Sequence, residues 1–296
     1  MVVIADQNQA GKRGKFLYRD TLLEVSYLAK DQLQSPEQVL SDYHLAPSLR
    51  TTKVTFDPLG YLAPLIAAVS RDYAKRSWVR ARCANARNKV LRNLQSIDQN
   101  MALHDQVMAC LFAAGITTHI LLVAGLRNPT VRMRYVAVRE LLAEYGHLEF
   151  HEGFLELLGA AQITQTRVSR HLAALADIFD AAAMVIKTPF PFASDISHSA
   201  RPIAIDGSFD LIRRGCHREA MFWIAVTHSR CQKVLTCDAP EELTHSIRNS
   251  YQGLAGDLGV LTFADIQRRR IEIERILPNV CELAEKIIAV NDKIEG

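Results

Sequence analysis

The N-terminal part of this chain contains a strand-like run, Phe16-Leu-Tyr-Arg-Asp-Thr-Leu-Leu-Glu-Val-Ser-Tyr-Leu28, around which its fold can be predicted. Its apolar residues predict two strands, 15–18 and 21–28, that pair as a hairpin around Arg19-Asp20. Glu24 lies in the middle of the second strand. Because an unpaired charge in a core is costly, Glu24 predicts either a nearby cation, often a metal held by further carboxylates, or a solvated position on an exposed edge strand.

The composition is that of an ordinary globular protein. The 296 residues are 49% hydrophobic and 23% charged, and the net charge of +3 implies no general polyelectrolyte partner. The six cysteines form no C-x-x-C pair and no zinc-finger spacing, which predicts reduced thiols in the cytoplasm. No signal peptide is indicated, and the longest apolar runs, such as residues 116–126, are broken by glycine and histidine, so we expect no membrane partner.

The β-rich part of the chain is confined to its first 58 residues. Residues 2–5 predict a short strand, 6–14 a polar loop, and 52–56 a last strand stopped by Asp57-Pro58. Ser35-Pro-Glu37 predicts a helix start, with the helix running to about residue 43. Three or four strands this short make a poor independent domain, so we expect the end of a larger α/β domain.

From Leu59 onward the pattern is helical, beginning with one apolar helix face that includes Leu62, Leu65 and Val69. The predicted fold class is therefore α+β, mostly α: a small mixed or antiparallel sheet followed by a large α-helical domain. The further predicted helices lie at about residues 100–125, 130–145, 151–159, 166–186, 208–214, 218–234, 240–257 and 265–291.

Two parts of the sequence, together with the helical remainder, resemble the nucleotidyltransferases of the DNA polymerase beta superfamily, of the kanamycin nucleotidyltransferase type. They are the strand Leu22-Leu-Glu-Val-Ser-Tyr-Leu28 and the segment Thr55-Phe-Asp-Pro-Leu-Gly60. In that family a Gly-Ser turn and an Asp-x-Asp strand precede a third carboxylate on a later strand. Glu24 matches the third carboxylate, and residues 2–5 resemble the tail of the Asp-x-Asp strand. The Gly-Ser turn and both aspartates are absent from this sequence, and Gly207-Ser208 lies too deep in the helical region to replace them.

The resemblance implies a reaction in which a nucleoside monophosphate passes from a nucleoside triphosphate to an acceptor hydroxyl, assisted by two Mg²⁺ ions. Residues 1–58 would be the C-terminal part of the nucleotidyltransferase domain and 59–296 an α-helical substrate-binding domain. Glu24 would be a catalytic metal ligand. Because one carboxylate cannot replace two aspartates, we expect this chain as written to be inactive as a transferase. Its partners would be the nucleoside triphosphate and an acceptor that the sequence does not name.

The longest loop within the helical region, residues 188–202, is a candidate substrate contact. Its prolines stiffen it, and it carries Asp195 and Arg201, which suit a substrate hydroxyl or amine. The alternative is a connector between helices that has no functional role. Shortly after this loop, His217 is a candidate substrate contact and Glu219 a candidate general base, although Glu219 fits a helix N-terminus equally well.

Two basic segments are candidate phosphate sites. Residues 71–92 hold eight Lys or Arg and one Asp. This pattern indicates contact with phosphates, or else a solvated helix face on which the aliphatic parts of the Lys and Arg side chains cover the core. In the second segment, Arg132 and Arg134 follow Asn128-Pro129, which predicts a helix start able to bind an anion. Ion pairing with Glu140 and Glu144 is the alternative.

Residues 157–175 resemble the helix-turn-helix of small winged-helix repressors, with Gln165, Thr166, Ser169 and Arg170 on the DNA-facing side. No two-stranded wing is predicted after it, and the helix continues into an apolar stretch, so we expect nucleic acid not to be the partner. Two alternatives to a transferase therefore remain open: a non-catalytic helical binding module and a DNA-binding regulator.

Overall fold

The computed structural model describes residues 2–5 and 12–296 of the chain. It is 68% helix and 6% strand, with one three-stranded sheet among the described residues. The predicted class, α+β and mostly α, is confirmed. The described residues form two compact units, which are presented separately. The predicted division at residue 58 stays a prediction, because these units are defined by contacts and each contains several separate stretches of chain.

The sheet belongs to the first unit and consists of β1 (Val2–Ala5), β2 (Lys12–Tyr18) and β3 (Thr21–Ala29) in the order β1-β3-β2. β1 pairs with β3 in parallel and β2 pairs with it antiparallel, so β3 is central. Arg19 and Asp20 both have positive φ angles, 46° and 59°, as a two-residue type I′ hairpin turn requires. The predicted strand 2–5 and the predicted hairpin are confirmed.

The rest of the first unit is helical and comprises residues 96–112 and 155–271. The longest helix that lies wholly in this unit is α11 (His217–Asp238), which is almost fully buried from Met221 to Ser229. This unit contains four other complete helices and parts of α5 (Leu103–Ala124), α7 (Glu149–Leu158) and α13 (Phe263–Val290). The complete helices are α8 (Gln165–Val185), α9 (Arg201–Ala204), α10 (Asp206–Arg213), α11 (His217–Asp238) and α12 (Glu241–Asp257).

The second unit comprises residues 30–95, 113–154 and 272–296 and has no strand longer than a single bridge. Its centre includes Arg82, which is fully buried and donates hydrogen bonds to the carbonyls of Leu40 (3.1 Å) and Tyr73 (2.7 Å). Its complete helices are α1 (Pro36–Ser41), α2 (Leu45–Arg50), α3 (Leu62–Asp72), α4 (Arg76–Gln95) and α6 (Arg134–Glu144).

The predicted strand at residues 52–56 is wrong. These residues form no strand, and Val54 and Phe56 are exposed, because no neighbouring strand lies beside them to bury their side chains. The Asp57 carboxylate, which the sequence placed at the end of that strand, instead accepts hydrogen bonds from the backbone of Tyr61 (3.1 Å) and Leu62 (2.8 Å) at the start of α3. Of the predicted loop at 6–14, residues 6–11 lie outside the described residues and 12–14 belong to β2.

The helix predictions agree with the structure within a few residues, but four details differ. α2 was missed, and so was the short α9, which begins inside the predicted loop. α6 begins at Arg134 rather than near residue 130, because the segment before it forms a tight turn in which the Thr130 N–H donates to the carbonyl of Asn128 (N···O 2.8 Å). The basic segment at residues 71–92 is divided between two helices, since α3 ends at Asp72 and α4 begins at Arg76, so it does not form one helix face.

Among the described residues, one helix is long and apolar enough to cross a membrane. This is α5, with a mean hydropathy of 2.1 in its most apolar window, and 83% of that window is buried inside the protein. The core helix of a soluble protein has the same length and composition.

Candidate functional site

The loop at residues 188–202 is held at both ends within the first unit. At its start, the Asp238 carboxylate accepts hydrogen bonds from the backbone of Lys187 (2.8 Å) and from both the backbone (2.9 Å) and the hydroxyl (2.6 Å) of Thr188. These bonds lower the pKa of Asp238. At its end, Arg201 donates two hydrogen bonds to Asp180 (2.7 and 2.9 Å). The loop is therefore a fixed element whose middle is presented in a defined position.

The middle of this loop lies against β2. Residues Ala193–Asp195 form a short 3₁₀ turn, and Ser194 approaches the backbone of Gly14 so closely that a Cβ at Gly14 would clash with it. Gly14 also has a φ of +96° and sits at an irregularity in the pairing of β2 with β3. Glycine at this position therefore allows the loop to reach the sheet.

Glu24 lies on the central strand β3, where its direct partner across the hairpin is Lys15. The Lys15 Nζ is 3.5 Å from the Glu24 carboxylate, whose side chain is 37% exposed. Glu24 is thus half-buried, on the face of β3 opposite the buried Val25. Because β3 is the central strand of the described sheet, the alternative of an exposed edge strand is wrong. The cation beside Glu24 is a lysine.

Lys15 also forms an ion pair with Asp195 from the loop. Asp195 accepts a further hydrogen bond from the Arg230 guanidinium of α11, at 3.0 Å. The side chains of Lys15, Asp195 and Arg230 are each only 10–14% exposed. We call Glu24, Lys15, Asp195 and Arg230 the ion network. It connects the β2–β3 hairpin, the loop at residues 188–202 and α11, which are far apart in sequence.

Beside the ion network lies a small cleft, partly open to solvent, with a cavity volume of about 10 Å³, which is room for about one water molecule. Its polar wall is formed by Lys15 and Asp195 together with three residues of α11 at helical spacing, Trp223, Thr227 and Arg230. Its apolar wall is formed by Ile196, Ala200, Ile203 and Ala204. We call this the α11 cleft.

The Arg230 guanidinium is placed by aromatic rings as well as by Asp195. Its central carbon lies 5.3 Å from the ring centre of Phe192 and 5.5 Å from that of Trp223, within the range of cation–π attraction. Burial lowers the pKa of Arg230, and the Asp195 carboxylate opposes that change. Phe192 in turn stacks on Phe190 with ring centres 5.1 Å apart. The phenylalanines of the loop therefore help to hold a buried cation.

The other predicted site residues of the first unit occupy different positions. Arg201 binds Asp180, as described above, and so anchors the loop. His217 and Glu219 lie in the first turn of α11, and Glu219 is 3% exposed. Eleven residues separate Glu219 from Arg230, about 16 Å along a helix axis. Glu219 is four residues before Trp223 and therefore continues the same helix face toward the N-terminus.

Arg132 and Arg134 belong to the second unit. Arg134 is almost fully buried in the first turn of α6, where its Nε donates to the carbonyl of Val131 (2.8 Å). Burial lowers the pKa of Arg134 to about 10, and the nearby tyrosines 135 and 43 partly offset this change. Arg132 precedes the helix and is partly exposed. Their role in phosphate binding stays a prediction.

The described residues do not form a donor set for the two Mg²⁺ ions that the resemblance implies. No group of three or more His, Cys, Asp or Glu side chains comes together in the part of the chain that the structure describes. Of the two carboxylates in the ion network, Asp195 is bound by two cations and Glu24 lies beside Lys15. A two-metal site needs several carboxylates that face the ions, so these residues do not fit the metals.

The helix-turn-helix candidate has an exposed face on α8. Gln165, Thr166, Ser169 and Arg170 are all exposed, whereas Arg167 on the same turns is paired with Asp257. Residues 30–296, all of which have described backbone, contain no strand pair that would form a wing. The structure does not test DNA binding by this segment, which stays an alternative to the expectation that nucleic acid is not the partner.

Sequence reasoning missed Lys15, Arg230, Trp223 and Thr227. Lys15 had a usable signal: once Arg19-Asp20 is the two-residue turn, hairpin register pairs residue 18 with 21, 17 with 22, 16 with 23 and 15 with 24. The three residues of α11 had no such signal, since residues 221–226 are a continuous apolar run and the polar residues that follow form no motif. Only the fold shows which face of α11 meets the loop.

Comparisons of this chain with protein-family models, with characterised proteins and with solved structures found no match.

Proposed function

We propose that this chain is a nucleotidyltransferase-like protein that binds a nucleoside triphosphate and its acceptor beside the ion network, and that it does not transfer nucleotides as written. The observation that carries the proposal is the position of Lys15, whose ammonium group contacts both Glu24 and Asp195. The resemblance had assigned Glu24 to the sheet, and the loop pattern had separately selected Asp195. Their meeting through one lysine supports a common site for the two predictions.

The register of the sheet gives further support. β1 pairs with β3 in parallel, with Val2 opposite Ser26 and Val3 opposite Tyr27. This pairing places residues 2–5, which resemble the tail of the family's Asp-x-Asp strand, directly beside the strand that carries Glu24.

The expected lack of transfer follows from the donor set. Glu24 is the one carboxylate of the proposed catalytic trio in this sequence, and a single carboxylate cannot hold two cations close to a triphosphate. What remains is recognition: Lys15 and Arg230 are cations suited to phosphate oxygens, and the 188–202 loop fixes their positions.

The first test is nucleoside triphosphate binding by isothermal titration calorimetry, with and without Mg²⁺. We expect saturable binding that Lys15→Met weakens about tenfold or more, because a charge-assisted contact to phosphate is lost. Arg213→Met is the matched control, since Arg213 is in the same unit but its side chain is 73% exposed and pairs only with Asp210 on its own helix. Glu24→Gln serves if Lys15→Met does not fold. The proposal fails if the folded wild-type protein binds no nucleoside triphosphate.

The second test is transfer itself. Purified protein, labelled nucleoside triphosphates, Mg²⁺ and a panel of hydroxyl acceptors should give no labelled product. Magnesium-dependent transfer that Glu24→Gln abolishes would contradict the inactivity and would establish an enzyme.

A non-catalytic binding module with no affinity for nucleotides is the second candidate, favoured by the poor fit of the described residues to a two-metal site. Thermal unfolding distinguishes it from the first. No rise in melting temperature with any nucleoside triphosphate, with or without Mg²⁺, would favour this module.

A further inference from the structure

A buried histidine lies beneath α12 in the first unit. His228 of α11 is fully buried, and its imidazole meets the Tyr251 ring of α12 edge-on, with the ring centres 5.4 Å apart. Neither ring nitrogen of His228 has a hydrogen-bond partner among the described residues. Buried polar groups in native proteins are nearly always paired, so an imidazole in this position calls for an explanation.

The described side chains around His228 offer no counter-charge for a protonated imidazole. α8 contributes His171, which is itself a cation when it is protonated, and α12 contributes the neutral phenol of Tyr251. The Asp257 carboxylate of α12 is already bound by His171 Nε2, at 2.6 Å, and by the Arg167 guanidinium. None of these groups is an unused anion that faces the ring.

The nearby charge on α5 is also paired. Asp105 acts on the Tyr251 hydroxyl and is bound by Lys233 of α11, whose Nζ lies 2.8 Å from its carboxylate. The Tyr251 hydroxyl is itself bound to Ser229 Oγ, at 2.9 Å. A proton on His228 would therefore be an isolated charge in the core, which is costly.

α12, which covers this histidine, is a weak helix by its own sequence. It contains Gly253 and Gly256, and nothing lies within 4 Å of the position that a Cβ would take at either residue. Glycine in a helix interior costs stability relative to alanine, and here no close contact requires it. The helix therefore depends on its packing against α8 and α11.

Both ends of α12 suit a hinge. Ala239 and Pro240 alone separate it from α11, and its C-terminal end is followed by Gly259, which has a φ of +65°. Residues at the ends of an element can absorb the change in φ and ψ when that element opens. α12 can therefore move away from α8 and α11 without disturbing the course of its neighbours.

We propose that α12 is a proton-linked lid, which is closed over His228 at neutral pH and opens when His228 takes up a proton. With the lid closed, the imidazole is neutral and packs on Tyr251. With the lid open, water reaches the ring and solvates its charge, so the open form binds the proton and the closed form does not. Acidification exposes the face of α8 and α11 that holds His228, while the rest of the first unit stays folded.

The direction of the effect follows from the two environments of the ring. Burial and, to a lesser degree, His171 lower the pKa of His228 to about 3 in the closed form, whereas a solvated histidine has a pKa of about 6.5. The closed form is therefore fully favoured above a pH of about 6.5 and loses stability as the pH falls toward 3. Between pH 7 and pH 5 the ratio of open to closed lid should rise about 20-fold.

The test is hydrogen exchange measured by mass spectrometry on the full chain at pH 7 and pH 5, corrected for the intrinsic exchange rate at each pH. We expect the amides of residues 250–257 to be less protected than those of α8 at both pH values, and their protection to fall about 20-fold on acidification. In His228→Leu this fall should be absent. His198→Leu replaces an exposed histidine of the same unit and is the matched control, which should behave as the wild type does.

A second variant keeps the test independent of the folding of His228→Leu. Gly253→Ala should raise the protection of residues 250–257 about fivefold at both pH values and leave the ratio between them unchanged, because alanine stabilises the closed helix. Equal protection of α12 and α8 at both pH values would indicate a single unfolding event and would overturn the lid. So would protection of α12 that does not change with pH, an undiminished fall in His228→Leu, or unchanged protection in Gly253→Ala.

Discussion

At the scale of single residues, the candidate site depends on a glycine that has no functional group. Gly14 combines a φ of +96° with an approach to Ser194 that leaves no room for a Cβ. Any other residue would have to adopt a strained backbone and also push the loop away from β2. The contact between Lys15 and Asp195 thus relies on the residue that precedes Lys15.

We predict that Gly14→Ala lowers the free energy of unfolding by about 2–4 kcal/mol, combining the backbone cost with the clash. Gly215→Ala is the matched control. Gly215 has a φ of +80° in the same unit, but nothing lies within 4 Å of the position its Cβ would take, so only the backbone cost of about 1–2 kcal/mol applies. Urea unfolding of both variants measures the difference, and equal losses would refute a role for the close approach.

At the scale of elements, the segment between α2 and α3 shows how a local signal can be misread. Alternating residues at 52–56 suggested a strand, and Asp57-Pro58 suggested its end. In the structure the same aspartate begins a helix, because its carboxylate satisfies two backbone N–H groups that α3 leaves open at its N-terminus. A strand forms only where a second strand pairs its backbone groups. A helix cap forms hydrogen bonds to backbone N–H groups a few residues away in the same segment.

We predict that Asp57→Ala lowers the free energy of unfolding by about 1 kcal/mol, the usual cost of removing a helix cap. Asp57→Asn keeps one carbonyl oxygen and should lose less. Hydrogen exchange at the amides of Tyr61 and Leu62 provides a local measurement, since both should exchange faster in Asp57→Ala. Unchanged exchange at these two amides would contradict the cap.

At the scale of the whole molecule, acid stability depends on buried histidines in both units. His228 of the first unit is fully buried in α11, where burial and, to a lesser degree, His171 lower its pKa to about 3. His119 of the second unit is fully buried in α5, and burial holds its pKa well below the usual value. Both are neutral in the folded protein at a pH where the unfolded chain binds a proton.

The unfolded chain therefore binds more protons below a pH of about 6.5, and stability falls as pH decreases from there toward the folded pKa of His228 near 3. We predict that His228 removes about 2 kcal/mol of unfolding free energy between pH 7 and pH 5, and that His119 acts in the same direction. His228→Leu should reduce that pH dependence by this amount. Equal losses on acidification in the variant and the wild type would show that His228 is not the cause.

The sequence alone was sufficient for the features that depend on neighbours along the chain. Hydrophobic periodicity located helices such as α3 and α10 within a few residues, because one face of each is apolar. A long apolar run located α5, which is apolar on nearly every side. The hairpin was predictable because turn residues and strand alternation are local, and its register already contained the pairing of Lys15 with Glu24.

Tertiary structure alone decided the candidate site. Asp195 meets Lys15 across 180 residues and Arg230 across 35, and no local signal selects one partner for a carboxylate among many arginines and lysines. The same holds for the Thr227 hydroxyl, which has no hydrogen-bond partner among the described residues. The sequence does not indicate whether a threonine hydroxyl in a helix bonds to the backbone of that helix. Secondary structure follows from interactions within a few residues, whereas a site requires packing that brings distant segments together.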